Sequence, residues 1–442
     1  AIGGLKKAGI FIEEDVKVTG SLRATAPGSL IHAVQLLDCS EFKIDGISVE
    51  NSESGILLLK CRYGSVDNAK FAGLLNADRA GIDIFFDSFG ITIDGVKARE
   101  NTRFPVRWAG GDAADAANKD VWVNNAYSVT DYFTYDSLAT SHAAVYGLTI
   151  SNVTMLGTGN RACVWGKKGQ GITVSDCYSD ECEDVAFDAE TCRDVTFTNC
   201  ISKNAAFGGL ATFYYGNDIS FVNCHSWIDD PAITNLAQLK GATDAGGTDR
   251  INVKNCSFES RNGQLGRILI ERGPRDTFIK NNTFFNCYVA SPVQKTSPAV
   301  INVSNNDMRF TVAGNYNAIA LVASQQAIVK NNDIVRTGAE SSPTEADAAI
   351  YSTKDGNQFR PQLRFTCHGN SVSGWANSIV TDGASDADGA FAYFDVDTNR
   401  VSGAIKNKEL KTDGVTAFTR FGYYEQENRS LNGSSAVAKV AY

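Results

Sequence analysis

The sequence predicts an all-β chain wound as a parallel β-helix, a solenoid of stacked coils. Three observations lead there. First, one six-residue pattern recurs: Ile172-Thr-Val-Ser-Asp-Cys177, Val195-Thr-Phe-Thr-Asn-Cys200 and Ile219-Ser-Phe-Val-Asn-Cys224 begin 23 and 24 residues apart. Second, apolar and polar residues alternate over its first four positions, which is strand periodicity. Its fifth position is Asn, Asp or Gly, residues that tolerate left-handed backbone geometry and so make a sharp corner. Third, the sixth position runs Cys, Cys, Cys, Cys, Asn, Asn, Asn from Cys177 onward, as expected where equivalent side chains lie one above another inside a stack. Forty glycines against eight prolines suit many tight corners.

Taken in order, residues 1–41 precede the first copy and are expected to form a cap or lead-in segment. The repeat then runs through Phe42-Lys-Ile-Asp-Gly-Ile47, the weaker Gly64-Ser-Val-Asp-Asn-Ala69, Ile91-Thr-Ile-Asp-Gly-Val96, Val121-Trp-Val-Asn-Asn-Ala126 and Leu148-Thr-Ile-Ser-Asn-Val153 to the three central copies. Beyond them come Ile251-Asn-Val-Lys-Asn-Cys256, Thr277-Phe-Ile-Lys-Asn-Asn282, Ile301-Asn-Val-Ser-Asn-Asn306 and Ala327-Ile-Val-Lys-Asn-Asn332. Two degenerate copies close the series, Phe365-Thr-Cys-His-Gly-Asn370 and Phe394-Asp-Val-Asp-Thr-Asn399. This gives about fourteen turns over residues 42–400, each roughly the length of a strand, bend, strand and return. Residues 401–442, where the repeat fades, are expected to be a cap or subunit-contact segment. Two turns are oversized, one after Trp227-Ile-Asp-Asp-Pro231 and one around Gly338 to Ala346, and such insertions become loops on one face. Val106 to Asn118 is expected to be irregular.

A net charge of -9 argues against nucleic acid as the main partner, since phosphate binding needs a basic surface. No window approaches the roughly 18 apolar residues of a membrane span, so no membrane insertion is expected. Ala1 opens no signal-peptide pattern and suggests a mature or trimmed fragment. Eleven cysteines is an odd number, and several share one repeat position, so reduced, internal thiols are expected, as in a chain folded in a reducing cytosol. The histidines His32, His142, His225 and His368 form no metal-ligand spacing, and no metal or cofactor is expected.

The candidate chemistry lies between the first two central copies, in Asp180-Glu-Cys-Glu-Asp-Val-Ala-Phe-Asp-Ala-Glu190. If Val185 and Phe187 point inward, Asp184, Asp188 and Glu190 point outward on one strand face. Spacing aligns this strand with Arg161 to Lys167, Ala211 to Tyr215 and Arg267 to Arg272. Lys168, Tyr214, Tyr215, Trp227, Asp230, Glu271 and Arg272 are the candidate substrate contacts, with Glu181 and Glu183 as reserve carboxylates. Glycosidic cleavage needs one protonated and one ionised carboxyl about 5 to 9.5 Å apart. Crowded carboxylates raise one another's pKa, so one stays protonated near neutral pH. The plainer alternative is a solvated acidic face, and for Asp229-Asp230-Pro231 it is a turn. The pairs Asn281-Asn282, Asn305-Asn306 and Asn331-Asn332 are expected to be structural, an outer corner followed by an internal amide.

The copies ending at Cys177 and Cys200, with Glu183-Asp-Val-Ala-Phe-Asp-Ala-Glu-Thr-Cys192 between them, resemble the pectin-lyase-like right-handed β-helix superfamily, and within it bacteriophage tailspike depolymerases. The resemblance covers about residues 42–399 and is specific for fold more than for function. It implies a right-handed, single-stranded helix in a homotrimer on a virion tail, attached to a phage tail or baseplate protein. The partner it implies is a bacterial surface polysaccharide, O-antigen or capsule. It places catalysis on Asp184, Asp188 and Glu190, acting outside the host cell. Against that resemblance, no virion-attachment domain and no large trimerisation domain are recognisable in the sequence given, and a trimmed fragment or a short spike is expected. Hydrolysis leads; the alternatives are a lyase on a uronic-acid glycan, with Lys168, Tyr214 or Arg272 in play and Ca²⁺ on the acidic cluster, and a non-catalytic adhesin.

Overall fold

A computed structural model describes residues 10–12, 17–23, 32–74, 80–99, 104–110, 118–124, 127–128, 133–137, 145–156, 163–213, 216–241, 250–271, 275–291, 300–322, 326–344, 347–353, 362–382, 391–408, 421–426, 429–430 and 440–441. The chain divides into two compact units, residues 1–211 and 212–442. Each is built of the same coil. The described regular structure is all β and every strand pairing is parallel.

In the first unit a coil has three strands, as in Gly169–Ser175, Tyr178–Asp180 and Val185–Glu190. The six-residue copies stack in the register the sequence implies: Ile91 pairs with Val121, Val121 with Leu148, Leu148 with Ile172, and Ile172 with Val195. Ile172, Val174, Val195 and Phe197 are buried, so positions one and three of each copy fill the interior. Burying each such side chain contributes roughly 1.5–3 kcal/mol. Asp176 and Asn199 turn the corner at φ 55° and 53°. The thiols of Cys177 and Cys200 then donate to Ser175 O at 3.2 Å and Thr198 O at 3.4 Å.

The second unit repeats the coil and changes the ladder. Ile219 pairs with Ile251, Ile251 with Thr277, Thr277 with Ile301, Ile301 with Ala327, Ala327 with Phe365 and Phe365 with Phe394. Cys224 and Cys256 give way to buried Asn282, Asn306, Asn332, Asn370 and Asn399. Each of the first four amides donates from Nδ2 to the next Oδ1, at 3.0, 2.9, 2.9 and 2.9 Å. The same oxygens accept backbone N–H groups, as Asn332 Oδ1 does from Asn306 N at 3.1 Å. A buried amide left unpaired costs several kcal/mol, and the ladder satisfies each one through its neighbours.

The expected fold is met, including the internal thiols: all eleven cysteines are free and buried. The turn count differs slightly from fourteen while the fold is the same, and pairing extends beyond the legible repeat. Ile10 pairs with Val34, and Ala392 with Phe421. Two local expectations are corrected. Phe104–Gly110 is a regular strand with Trp108 in the core, since Val106 and Trp108 alternate inward as in every other coil. The oversized turn after Trp227 contains a full strand, Asn235–Lys240, paired with Gly266–Glu271. Residues 111–118 are only partly described, and the Gly/Ala/Thr-rich run 242–249 lies outside the described residues.

Candidate active site

The outward row that carries the acidic cluster belongs to the third strand of each coil in the first unit. Register fixes its members: Leu57, Asp83, Arg107, Thr134, Trp165 and Asp188 follow one another from coil to coil. Glu190 sits one strand step along, in register with Lys167. The inward anchors are Val185 and Phe187, both buried, and Phe187 packs on Phe197 with ring centroids 6.1 Å apart.

The cluster is not a uniformly exposed face. Asp184 is exposed and lies just before the strand, where its carbonyl accepts Phe207 N–H at 3.0 Å. Glu190 is half-buried. Asp188 points outward but is only 4% exposed, which corrects the expectation that all three stand in solvent. Its Oδ1 is buried with no hydrogen-bond partner among the described residues. Burial pushes its pKa well above the ordinary carboxylate range, the charges of Glu190 and then Asp184 push it further, and the Ala189 N–H draws it back in part. Desolvation favours the neutral form of an acid, and like charges add to it. Burial and the neighbouring carboxyl groups thus bias Asp188 towards its protonated form. Cα atoms two residues apart on a strand are roughly 6.6 Å apart.

Lys168 turns the corner after the preceding strand at φ 61°, and its N–H donates to Glu190 O at 3.0 Å. Cys192 donates its thiol to the same carbonyl at 3.0 Å, so the strand end bearing Glu190 is held twice. Burial raises the Cys61 thiol to about 12, and raises Cys163 and Cys287 as well; such thiols stay protonated and are not nucleophiles. Glu181 and Glu183 are exposed. Sequence reasoning missed Phe207, 55% exposed and one coil beyond Asp184. It also missed the pair Asp83–Arg107. The signal for both was separation by one coil period.

The remaining candidates lie in the second unit. Tyr214, Tyr215 and Arg272 lie outside the described residues; the strand that sequence spacing set at Ala211 to Tyr215 is Gly208–Phe213. Glu271 pairs with Lys240 at 3.2 Å, and the Lys240 ammonium lies 5.3 Å from the Phe213 ring centre. Trp227 is on His225–Ile228, the strand that follows the Cys224 corner, and not on the strand type that carries Asp188. His225 packs on it with centroids 4.7 Å apart, and the Arg261 guanidinium lies 5.1 Å from its ring. Glu259 joins these two, at 3.1 Å from His225 Nε2 and 2.6 Å from Arg261. Burial lowers the His225 pKa, against the opposing pull of Glu259. Burial works to raise Glu259, but Arg261, His225 and Ser257 together carry it below its ordinary value. Asp230 caps a turn, its carboxylate accepting Ala232 N–H at 2.8 Å. Among the described residues no three His, Cys, Asp or Glu side chains gather as a cation site.

Residues 32–224 match the family described as right handed beta helix region. No curated protein sequence matches the chain. Solved structures do. A single-site mutant tailspike protein of E. coli bacteriophage HK620, in complex with pentasaccharide, aligns at TM-score 0.50 and 12% identity over 86% of this chain and 72% of that one. The HK620 tailspike with the same class of ligand aligns at 0.47 and 11%, over 83% and 71%. The periplasmic alginate epimerase AlgG aligns at 0.38 and 10%, over 94% and 85%. At these identities the likeness is one of fold, a right-handed β-helix.

Proposed function

We propose that the chain is a polysaccharide depolymerase that cuts a bacterial surface glycan, O-antigen or capsule, by endo-hydrolysis. Asp188 is its acid and Glu190 its base or nucleophile. The observation that carries this is Asp188 itself: a carboxyl 4% exposed, its Oδ1 without a partner among the described residues, kept beside a second carboxyl group. A merely structural position would favour an apolar residue or a paired one. Here the arrangement supplies what glycosidic cleavage needs, one carboxyl protonated at neutral pH and a second one strand step away. Asp188 donates its proton to the leaving glycosidic oxygen, and Glu190 attacks or activates water. Asp184 adds negative charge, and Phe207 offers a flat face to a sugar ring. Because Asp188 is covered, the glycan must press between the outward side chains of that face. The setting that accords with this is a homotrimeric tailspike on a phage tail or baseplate, acting outside the host cell; the HK620 tailspike, which holds a pentasaccharide, has the same fold.

The test is oligosaccharide release from a panel of surface polysaccharides by the parent, Asp188→Asn and Glu190→Gln. Each substitution is expected to lower the rate by about 10²–10⁴-fold. The parent's rate is expected to fall as pH rises through the elevated Asp188 pKa. Undiminished release by both variants sinks the assignment, and product with a new ultraviolet-absorbing double bond replaces hydrolysis with β-elimination.

A further inference from the structure

Five side chains gather on the outer face of the second unit, on the strands that follow the Cys224 and Cys256 corners and on the two coils beyond. Register sets Trp227, Glu259, Phe285 and Arg309 in one row from coil to coil, with His225 beside Trp227. Phe285 is 37% exposed, one of three large apolar side chains among the described residues that stand out from the surface. Trp227 is half-buried, with the His225 ring centroid 4.7 Å and the Arg261 guanidinium 5.1 Å from its ring. Arg261 is fixed in turn by Glu259, Nε to Oε2 at 2.8 Å, while Ser257 donates to the other Glu259 oxygen at 3.1 Å. Arg309 is fixed by Asp307 at 2.7 Å and Asp333 at 2.6 Å. The two adjoining loops are pinned together, Asn262 Nδ2 donating to Asp230 O at 2.7 Å.

These residues have no part in the carboxyl chemistry, and the core does not need them. A sheet exterior is ordinarily polar, and two aromatic rings in one row there expose apolar surface without structural return. We infer that this row is a second, non-catalytic glycan-binding track, which takes an uncharged stretch of polysaccharide lying along the coil stack. Trp227 and Phe285 are two coils apart, roughly 10 Å, about the length of a disaccharide unit. Rings at that spacing stack on alternate sugars of an extended chain. The donors and acceptors of the row, Glu259 between the two rings, Arg261 beside Trp227 and Arg309 beyond Phe285, are locked in place and meet hydroxyl groups at little ordering cost. Their charges are paired with one another, so the row does not call for a charged ligand. A protein partner would need a contiguous apolar core, and here each ring is framed by charge. The track shares the ligand class of the proposed function and none of its residues.

The experiment measures retention of the intact chain on a panel of purified O-antigen and capsular polysaccharides, in a Glu190→Gln background so that the polymer survives. Trp227→Ala and Phe285→Ala are each expected to weaken retention roughly tenfold, and Trp227→Phe to restore most of it. In the parent background, the same alanine variants are expected to keep full turnover on short oligosaccharides. Undiminished retention in the Trp227→Ala, Phe285→Ala double variant overturns the track. So does failure of the Glu190→Gln protein to bind any polymer, or a change in oligomeric state on Trp227→Ala, which would make this face a contact between copies. Retention without cleavage by the parent contradicts the depolymerase alone and leaves the track standing.

Discussion

Asp83 and Asp188 occupy the same row of the same sheet face in the first unit, four coils apart by register. Both are buried, at 0% and 4% exposure. Asp83 is provided for: Arg107 Nε donates to it at 2.7 Å, Ala80 N at 3.3 Å and the Ser54 hydroxyl at 3.4 Å. Asp188 has an oxygen with no hydrogen-bond partner among the described residues, and two carboxyl groups near it where Asp83 has a guanidinium. The fold thus has a way to bury a carboxylate at this position, and uses it once. The contrast separates an aspartate that serves the scaffold from one the scaffold tolerates.

Substitutions can break the comparison. Arg107→Met strands the Asp83 charge, and chemical denaturation is expected to record a loss of about 3–5 kcal/mol, the cost of removing one partner of a buried pair. A loss under about 1 kcal/mol would make the pair equivalent to a surface salt bridge, and the contrast with Asp188 would fade. Ser54→Ala removes a hydroxyl shared between Ala80 O at 3.2 Å and the Asp83 carboxylate at 3.4 Å, and leaves the guanidinium in place. It is expected to cost about 1 kcal/mol in the same measurement. A larger loss would mean that the hydroxyl, and not Arg107, is what keeps Asp83 soluble in the interior.

Much of this was legible in the chain. The six-residue copies aligned from Phe42 to Asn399 in the register that the strands adopt, because a buried alternation with a left-handed corner leaves one stacking solution. The amide ladder was legible for the same reason: successive Asn residues at one interior position can satisfy only one another. The outward faces were harder. Alternation put Asp188 outside correctly, but outside did not mean exposed, since burial there depends on neighbouring coils and loops that no local pattern encodes. Trp227 was grouped with the acidic cluster by nearness in sequence, although a corner at Asn223 and Cys224 stands between strand types. Partners such as Asp83 with Arg107 show up only when the coil period is used as a ruler.

If Asp188 is the acid proposed above, the fold retains a carboxyl whose burial costs stability. Its folded pKa is raised above the unfolded value of about 3.9. The folded state then holds the proton more tightly than the unfolded chain, so its stability advantage is full at low pH and is lost as pH rises through the folded pKa. Asp188→Asn keeps the shape and removes the charge. Unfolding of parent and Asp188→Asn, followed from pH 4 to pH 9, tests this directly. The variant is expected to be the more stable of the two at neutral and alkaline pH, while releasing little oligosaccharide, and the gap is expected to close towards pH 4. A variant no more stable than the parent at pH 8 would contradict the account.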